Sequence, residues 1–290
     1  MLVALLLVLA QSPDLAPVTV PGEGVAARFL LGVERLHPLG DRSTILKRLG
    51  HKLRVVRQED PTQGALDLEN ASFRVRVPVA YQAAEPAGLM VWMDPDDKWV
   101  MPQKWGFTFD QLNMLVVAPN GAGGNQYAWN RAGLALAAVH ELTNRYAIDP
   151  SRIYVAGRGN GGRMASRLAL AWPDVFQGGI AIGGAAYFEA IPNPERFDAS
   201  WPARLKRPSL RLLSQARKRS RYVFLAGDSD PKRSLCRLQA LHMAKEEEFL
   251  HVAYLEIPRL GTDAPDAKWI RRAIDILDGP LSSADASNAR

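Results

Sequence analysis

Between residues 73 and 280, short runs of apolar residues alternate with longer stretches in which apolar positions recur every three or four residues. The short runs are Phe73–Val79, Leu89–Met93, Met114–Ala118, Ile153–Ala156, Gly179–Ile182, Tyr222–Ala226 and Val252–Ile257, each rich in Val, Ile, Leu or Tyr. They read as strands. The longer stretches, Tyr127–Tyr146, Gly161–Ala171, Ser234–Glu248 and Asp266–Leu277, read as helices. Strand and helix in alternation predict an α/β domain, a mostly parallel sheet with helices on both faces, spanning residues 71–280. Several strands run directly into Gly, Asn or Asp, and open α/β sheets build their sites where strands end.

The first seventy residues follow another pattern. A Pro/Gly-rich lead from Pro17 to Gly24 is followed by two expected helices, Ala26–Leu36 and Ser43–Val56, and a turn signal at Asp60-Pro61. Residues 11–70 are therefore expected to form a helical accessory segment packed on the sheet. Residues 1–10, MLVALLLVLA, have the apolar stretch of a secretory leader, with small residues Val8 and Ala10 before a possible cut at Gln11, although no Lys or Arg precedes the run. Export to the periplasm or exterior is the expectation. The run is about half the roughly 20 residues a spanning helix needs, so no membrane span is expected. Residues 281–290 read as a flexible tail.

Composition changes this picture little, with 47% apolar and 23% charged residues, values that exclude disorder, collagen and coiled coil. The single Cys236 excludes an internal disulfide and reads as a small core residue. The net charge of +6 looks like a nucleic-acid signal until it is located. Between Ser200 and Arg221 lie eight basic residues (Arg204, Lys206, Arg207, Arg211, Arg217, Lys218, Arg219, Arg221) and no acidic one, so the rest of the chain sums to −2. No zinc-finger spacing or RNA-binding aromatic signature accompanies them, and the segment reads as a solvated helix face leading into a strand.

The stretch with chemical content is Arg152-Ile-Tyr-Val-Ala-Gly157-Arg158-Gly159-Asn160-Gly161-Gly162, a strand passing through a glycine corner into a helix. Glycines two before and two after a central residue permit a tight strand-to-helix turn that pushes the central side chain out over the sheet edge. The central residue here is Gly159.

This stretch resembles the extracellular α/β-hydrolase esterases of the polyhydroxybutyrate depolymerase and feruloyl esterase type. That group shows an Asp-Pro-x-Arg-(Ile/Val)-Tyr-(Val/Ile)-x-Gly-x-Ser-x-Gly-Gly run, then a helix of small residues and Pro-Asp-Val-Phe. The matching positions are Asp149-Pro150, Arg152-Ile153-Tyr154-Val155, Gly157, Gly161-Gly162 and Pro173-Asp174-Val175-Phe176. The likeness runs from about Phe73 to Leu277 and is most specific in this central third. It implies an α/β-hydrolase sheet, hydrolysis of carboxylic esters and no cofactor.

The departures bear on activity. Gly159 stands where the family has its nucleophilic Ser, and it has no side chain to attack with. The catalytic acid is matched by Asp230 in Gly227-Asp228-Ser229-Asp230. The catalytic His is expected in the loop Leu260-Gly261-Thr262-Asp263-Ala264-Pro265, where Thr262 takes its place. None of the five histidines, His37, His51, His140, His242 and His251, lies in that loop. Where the family has His-Gly after the second strand, this chain has Met93-Asp94, and an inward Asp94 carboxylate would repel an oxyanion. The backbone N–H of Asn160 remains as an oxyanion donor.

Removal of either Ser or His from such a triad costs about 10⁶ in turnover, leaving about 10³–10⁴ over water. A non-catalytic relative is therefore expected. Gly159, Asn160, Arg158 and the Asn120-Gly121-Ala122-Gly123-Gly124-Asn125 loop would then bound a cleft for a small-molecule or polymeric ester or a carbohydrate. Two alternatives remain open. One is an active ester hydrolase using other residues, although Ser166 should face the core and Ser229 is far in sequence from any His. The other is dinucleotide binding at Gly157-x-Gly159-x-x-Gly162, against which at least three strands precede the turn and the next strand ends in Gly183-Gly184-Ala185 with no acid.

Overall fold

The computed structural model describes residues 18–19, 26–30, 36–50, 71–79, 81–193 and 199–279. The expected leader at 1–10, the tail at 281–290 and His51 lie outside the described residues. In chain order the elements are β1 (Val18–Thr19), β2 (Ala26–Leu30), α1 (Arg42–Leu49), β3 (Ser72–Arg76), β4 (Ala87–Met93), α2 (Trp105–Gln111), β5 (Met114–Pro119), α3 (Ala128–Arg145) and β6 (Ile148–Arg158). They continue with α4 (Asn160–Ala171), β7 (Gly178–Ile182), β8 (Ile191–Pro192), β9 (Ser200–Trp201), α5 (Leu210–Arg219), β10 (Arg221–Gly227), α6 (Arg233–Lys245), β11 (Val252–Ile257) and α7 (Ala267–Asp278).

Nine strands form one sheet in the order β1-β2-β3-β5-β4-β6-β7-β10-β11, and β8 and β9 make a separate small hairpin. From β5 to β11 every neighbouring pair is parallel, while β1, β2 and β3 join antiparallel at the other edge. β4 shows why the strand pattern was readable: all seven of its residues are buried, as a central strand covered on both faces requires. Its side chains alternate between two cores. Leu89, Val91 and Met93 join the core shared with α3 and α4, and Met90 and Trp92 join the core that holds Trp105 and Phe109 of α2 and Ile270, Ala273, Ile274 and Leu277 of α7. The i, i+3, i+4, i+7 spacing of those α7 residues makes one apolar stripe.

Of two expectations for the N-terminal region, one is corrected and one is met over the described residues. Ala26–Leu30 is not helical but pairs with β3, Ala26 opposite Arg76 and Leu30 opposite Ser72. The helical spacing of AARFL is a weak local preference that the open edge of β3 overrides by supplying backbone hydrogen bonds. The helix expected at Ser43–Val56 is present as Arg42–Leu49, with residues 51–56 outside the described set. Asp41 caps it by accepting from Thr44 N–H at 2.9 Å, and Gly50, at φ 77°, ends it by donating to the Leu46 carbonyl.

The chain order explains where a site must lie. β5 leaves on one side of β4 and β6 on the other, so a crevice opens beyond the carboxyl ends of these strands, the switch point of an open α/β sheet.

Candidate functional site

β6 delivers the chain to that crevice and α4 carries it away, with Gly159 as the hinge. Its backbone sits at φ 57° and ψ −118°, a conformation that L side chains adopt only under strain. Its N–H donates to the Ile182 carbonyl at 2.8 Å, and its carbonyl accepts from Arg163 N–H at 3.0 Å to begin the helix. A Cβ at Gly159 would meet nothing within 4 Å, so the missing side chain leaves open space over the sheet edge. The flanking glycines answer a different demand. A Cβ on Gly157 would lie 2.5 Å from the Met93 carbonyl oxygen, and one on Gly161 only 1.8 Å from it. A Cβ on Gly162 would lie 2.8 Å from the Ile182 carbonyl oxygen. Helix and strands approach through backbone alone.

Beside Gly159 opens a cavity of about 230 Å³ lined by Arg158, Gly183, Asp230, Leu260 and Thr262. The structure thus brings together the three positions matched to nucleophile, acid and base. Asp230 follows β10 and is buried, its Oδ1 accepting from Lys232 N–H at 2.7 Å. Its Oδ2 faces Gly183 so closely that a Cβ there would lie 2.4 Å away. Thr262 is exposed on the loop between β11 and α7, and its carbonyl accepts from Arg158 Nη1 at 2.8 Å, which ties this loop to the elbow.

No imidazole reaches the cavity among the described residues. His37 and His140 pack edge to face with ring centres 5.7 Å apart, His242 lies 3.2 Å from Glu189 Oε2, and His251 is buried before β11. The two candidate serines are also engaged elsewhere. Buried Ser166 donates to the Gly162 carbonyl at 3.1 Å, and exposed Ser229 donates to Asp228 Oδ1 at 3.0 Å.

Three expected cleft residues are placed differently. The Met93 side chain is fully buried in the core, and only its carbonyl meets the elbow. The Asp94 carboxylate is engaged on both oxygens: Oδ2 accepts from Trp92 Nε1 at 2.8 Å and Oδ1 from Asp96 N–H at 3.1 Å. Burial raises its carboxyl above the ordinary value. Asn120 bonds through Nδ2 to Ser72 Oγ at 2.9 Å and serves the β3–β5 junction. Asn160 opens α4 and lies against the glycine loop, where a Cβ on Gly124 would be 2.6 Å from its Nδ2. As the first helical residue it leaves its N–H without an intrahelical partner.

The residue that sequence reasoning missed is Arg131. It is buried on α3, donating from Nε to the Ala122 carbonyl at 2.7 Å, from Nη1 to Asn160 O at 3.3 Å and from Nη2 to Asp94 O at 3.3 Å. One guanidinium therefore ties together the glycine loop, the elbow and the end of β4. Burial and the neighbouring Arg163 push it down to about 10. The available signal was an Arg on the apolar stretch from Ala128 to Ala138. Among the described residues, Glu189, His242 and Glu247 could offer ligand atoms to a metal within 4.8 Å of one another. Those atoms are already used: Glu247 pairs with Arg207 and Arg217, and Glu189 with Arg207 and His242.

Comparison with known proteins bears on this geometry. Residues 103–192, under a third of the chain, match the prolyl oligopeptidase family. A poly(3-hydroxybutyrate) depolymerase from Ralstonia pickettii is 34% identical over 95 residues, covering 27% of this chain and 20% of that protein. Feruloyl esterase B from Neurospora crassa is 35% identical over 87 residues, covering 30% and 26%. The matched stretches thus span only about a fifth to a quarter of these relatives' length. Among solved structures, a hyperthermophilic esterase from the archaeon Pyrobaculum calidifontis superposes over 83% of this chain and 88% of its own, with a TM-score of 0.53 at 14% identity. A feruloyl esterase module from Clostridium thermocellum covers 74% and 83%, with a TM-score of 0.52 at 12% identity.

This chain has the α/β-hydrolase fold. Within that fold its partial likeness is to esterases and depolymerases.

Proposed function

We propose that this α/β-hydrolase-fold protein is a non-catalytic relative of carboxylic-ester hydrolases that keeps an open cleft for a small-molecule or polymeric ester or a carbohydrate. The observation that carries the reading is Gly159, which holds the strained corner of a nucleophile while offering no atom to react. Thr262 adds to it, since no imidazole borders the same cavity among the described residues. Neither Ser166 nor Ser229 supports a rebuilt nucleophile, because each hydroxyl donates elsewhere and, among the described residues, no His bonds to it. Dinucleotide binding finds less support, since β6 lies in the middle of the sheet and β7 runs into Gly183 and not into an acid.

A serine-directed fluorophosphonate probe tests the reading. The native chain should remain unlabelled under conditions that label an active esterase fully. Stoichiometric labelling abolished by heat denaturation would overturn it and identify the reactive serine.

A further inference from the structure

A second hollow of about 50 Å³, sharing no lining residue with the Gly159 cavity, is bordered by the first turn of α4 and the segment that follows β7. Its walls include Arg163, Tyr187, Trp201, Arg204 and Gln239. We propose that this hollow is a binding site for a small oxyanion, the carboxylate, phosphate or sulfate group of a soluble ligand.

The first observation is unpaired positive charge. Among the described residues, Arg163, Arg167 and Arg204 have no carboxylate partner, whereas Arg207 and Arg217 nearby do. Arg163 and Arg167 stand one turn apart on α4, and Arg204 comes from the strand-loop after β9, held by its N–H on the Tyr187 carbonyl at 2.8 Å. The buried Nε of Arg167 makes no hydrogen bond. Burial, then the neighbouring guanidiniums, hold Arg163 below its ordinary value and bring Arg167 to about 10. Arg163 and Arg204 line the hollow, and an anion beside them would relieve that repulsion, which Arg167 shares from behind Arg163 on the same helix.

The second observation is independent of charge. Tyr187 is 2% exposed and Gln239 fully buried, yet Tyr187 Oη and Gln239 Oε1 have no hydrogen-bond partner. Buried polar atoms are seldom left so. Gln239 is oriented by its other atom, Nε2 donating to the Ala186 carbonyl at 3.0 Å, which leaves Oε1 as an acceptor. Burial, then the Glu247 and Glu189 carboxylates, hold the Tyr187 phenol far above its ordinary value, so it stays protonated and able to donate. Glu189 also lines the wall, but its carboxylate is engaged by Arg207 and His242. The inventory is thus two guanidiniums and a phenol as donors, with one amide oxygen able to accept from a hydroxyl of the same ligand. Arginine forks suit planar and tetrahedral oxyanions alike. This site uses neither Gly159 nor Thr262, and it stands whether or not the cleft is inert.

Titration calorimetry of the full chain at constant ionic strength, with chloride as background, tests the proposal using inorganic phosphate, sulfate and acetate. Saturable one-site binding of at least one of them is expected, and the ranking of acetate against the tetrahedral ions assigns the headgroup. Arg204→Gln, at an exposed position, should fold normally and weaken that binding at least about tenfold, as should Arg163→Gln. Lys218→Gln, an exposed charge on α5, should leave it unchanged. No saturable binding above chloride, equal binding in Arg204→Gln, or equal loss in Lys218→Gln would overturn the site.

Discussion

The Cα of Gly161 faces the carbonyl oxygen of Met93 so closely that a Cβ would stand 1.8 Å from it. The obstacle is backbone on a fully buried central strand, which cannot swing aside as a side-chain end can. Gly161→Ala must therefore push α4 off β4, and a loss of about 3 kcal/mol or more is expected in urea unfolding. A loss under about 0.5 kcal/mol would mean that the elbow is looser than described.

Gly159 makes the opposite prediction. A Cβ there would enter open space, so the only cost of Gly159→Ser is the strained backbone, about 1–2 kcal/mol. The variant should keep the native circular dichroism spectrum and a single cooperative transition, with a slightly lower midpoint.

How much of this was written in the sequence depends on which interactions decide each element. β4 and β6 were legible because an unbroken apolar run has few places to go except a buried strand. Gly157, Gly161 and Gly162 were legible because backbone contact excludes every other residue. Trp105–Gln111 escaped because WGFTFDQ is rich in aromatic residues that locally favour strands, and only packing of Trp105 and Phe109 against α7 makes it helical. Ala26–Leu30 was misread for the converse reason, a helical spacing overruled by β3. The directions of Asp94 and Asn120, and the reach of Arg131, depend on partners far away in the chain and have no local signal.

Glu247 gives a prediction with a definite sign. Burial acts to raise its carboxyl, yet hydrogen bonds and charge from Arg217 and Arg207 bring it below the ordinary value. A carboxyl lowered on folding contributes stability above its unfolded pKa and loses it as pH falls through the folded one. Glu247→Gln should cost about 1–3 kcal/mol near pH 7 and leave less to lose between about pH 5 and pH 3. Equal acid sensitivity in both proteins, read from unfolding midpoints across that range, would show that the pair contributes nothing.

Cys236 is fully buried on α6, and burial pushes its thiol up to about 12. Because the thiolate is the reactive form, iodoacetamide at pH 8 should modify the folded protein at least about a hundredfold more slowly than the chain in urea. Comparable rates would place α6 among segments that open readily.

The central claim is that the cleft lacks only its reagents, and hydrolysis of a short-chain nitrophenyl ester tests it most directly. The native chain should match buffer, while Gly159→Ser/Thr262→His, with Asp230 retained, should turn over substrate at least about tenfold faster. Hydrolysis by the native chain that follows the protein through repurification would contradict the claim.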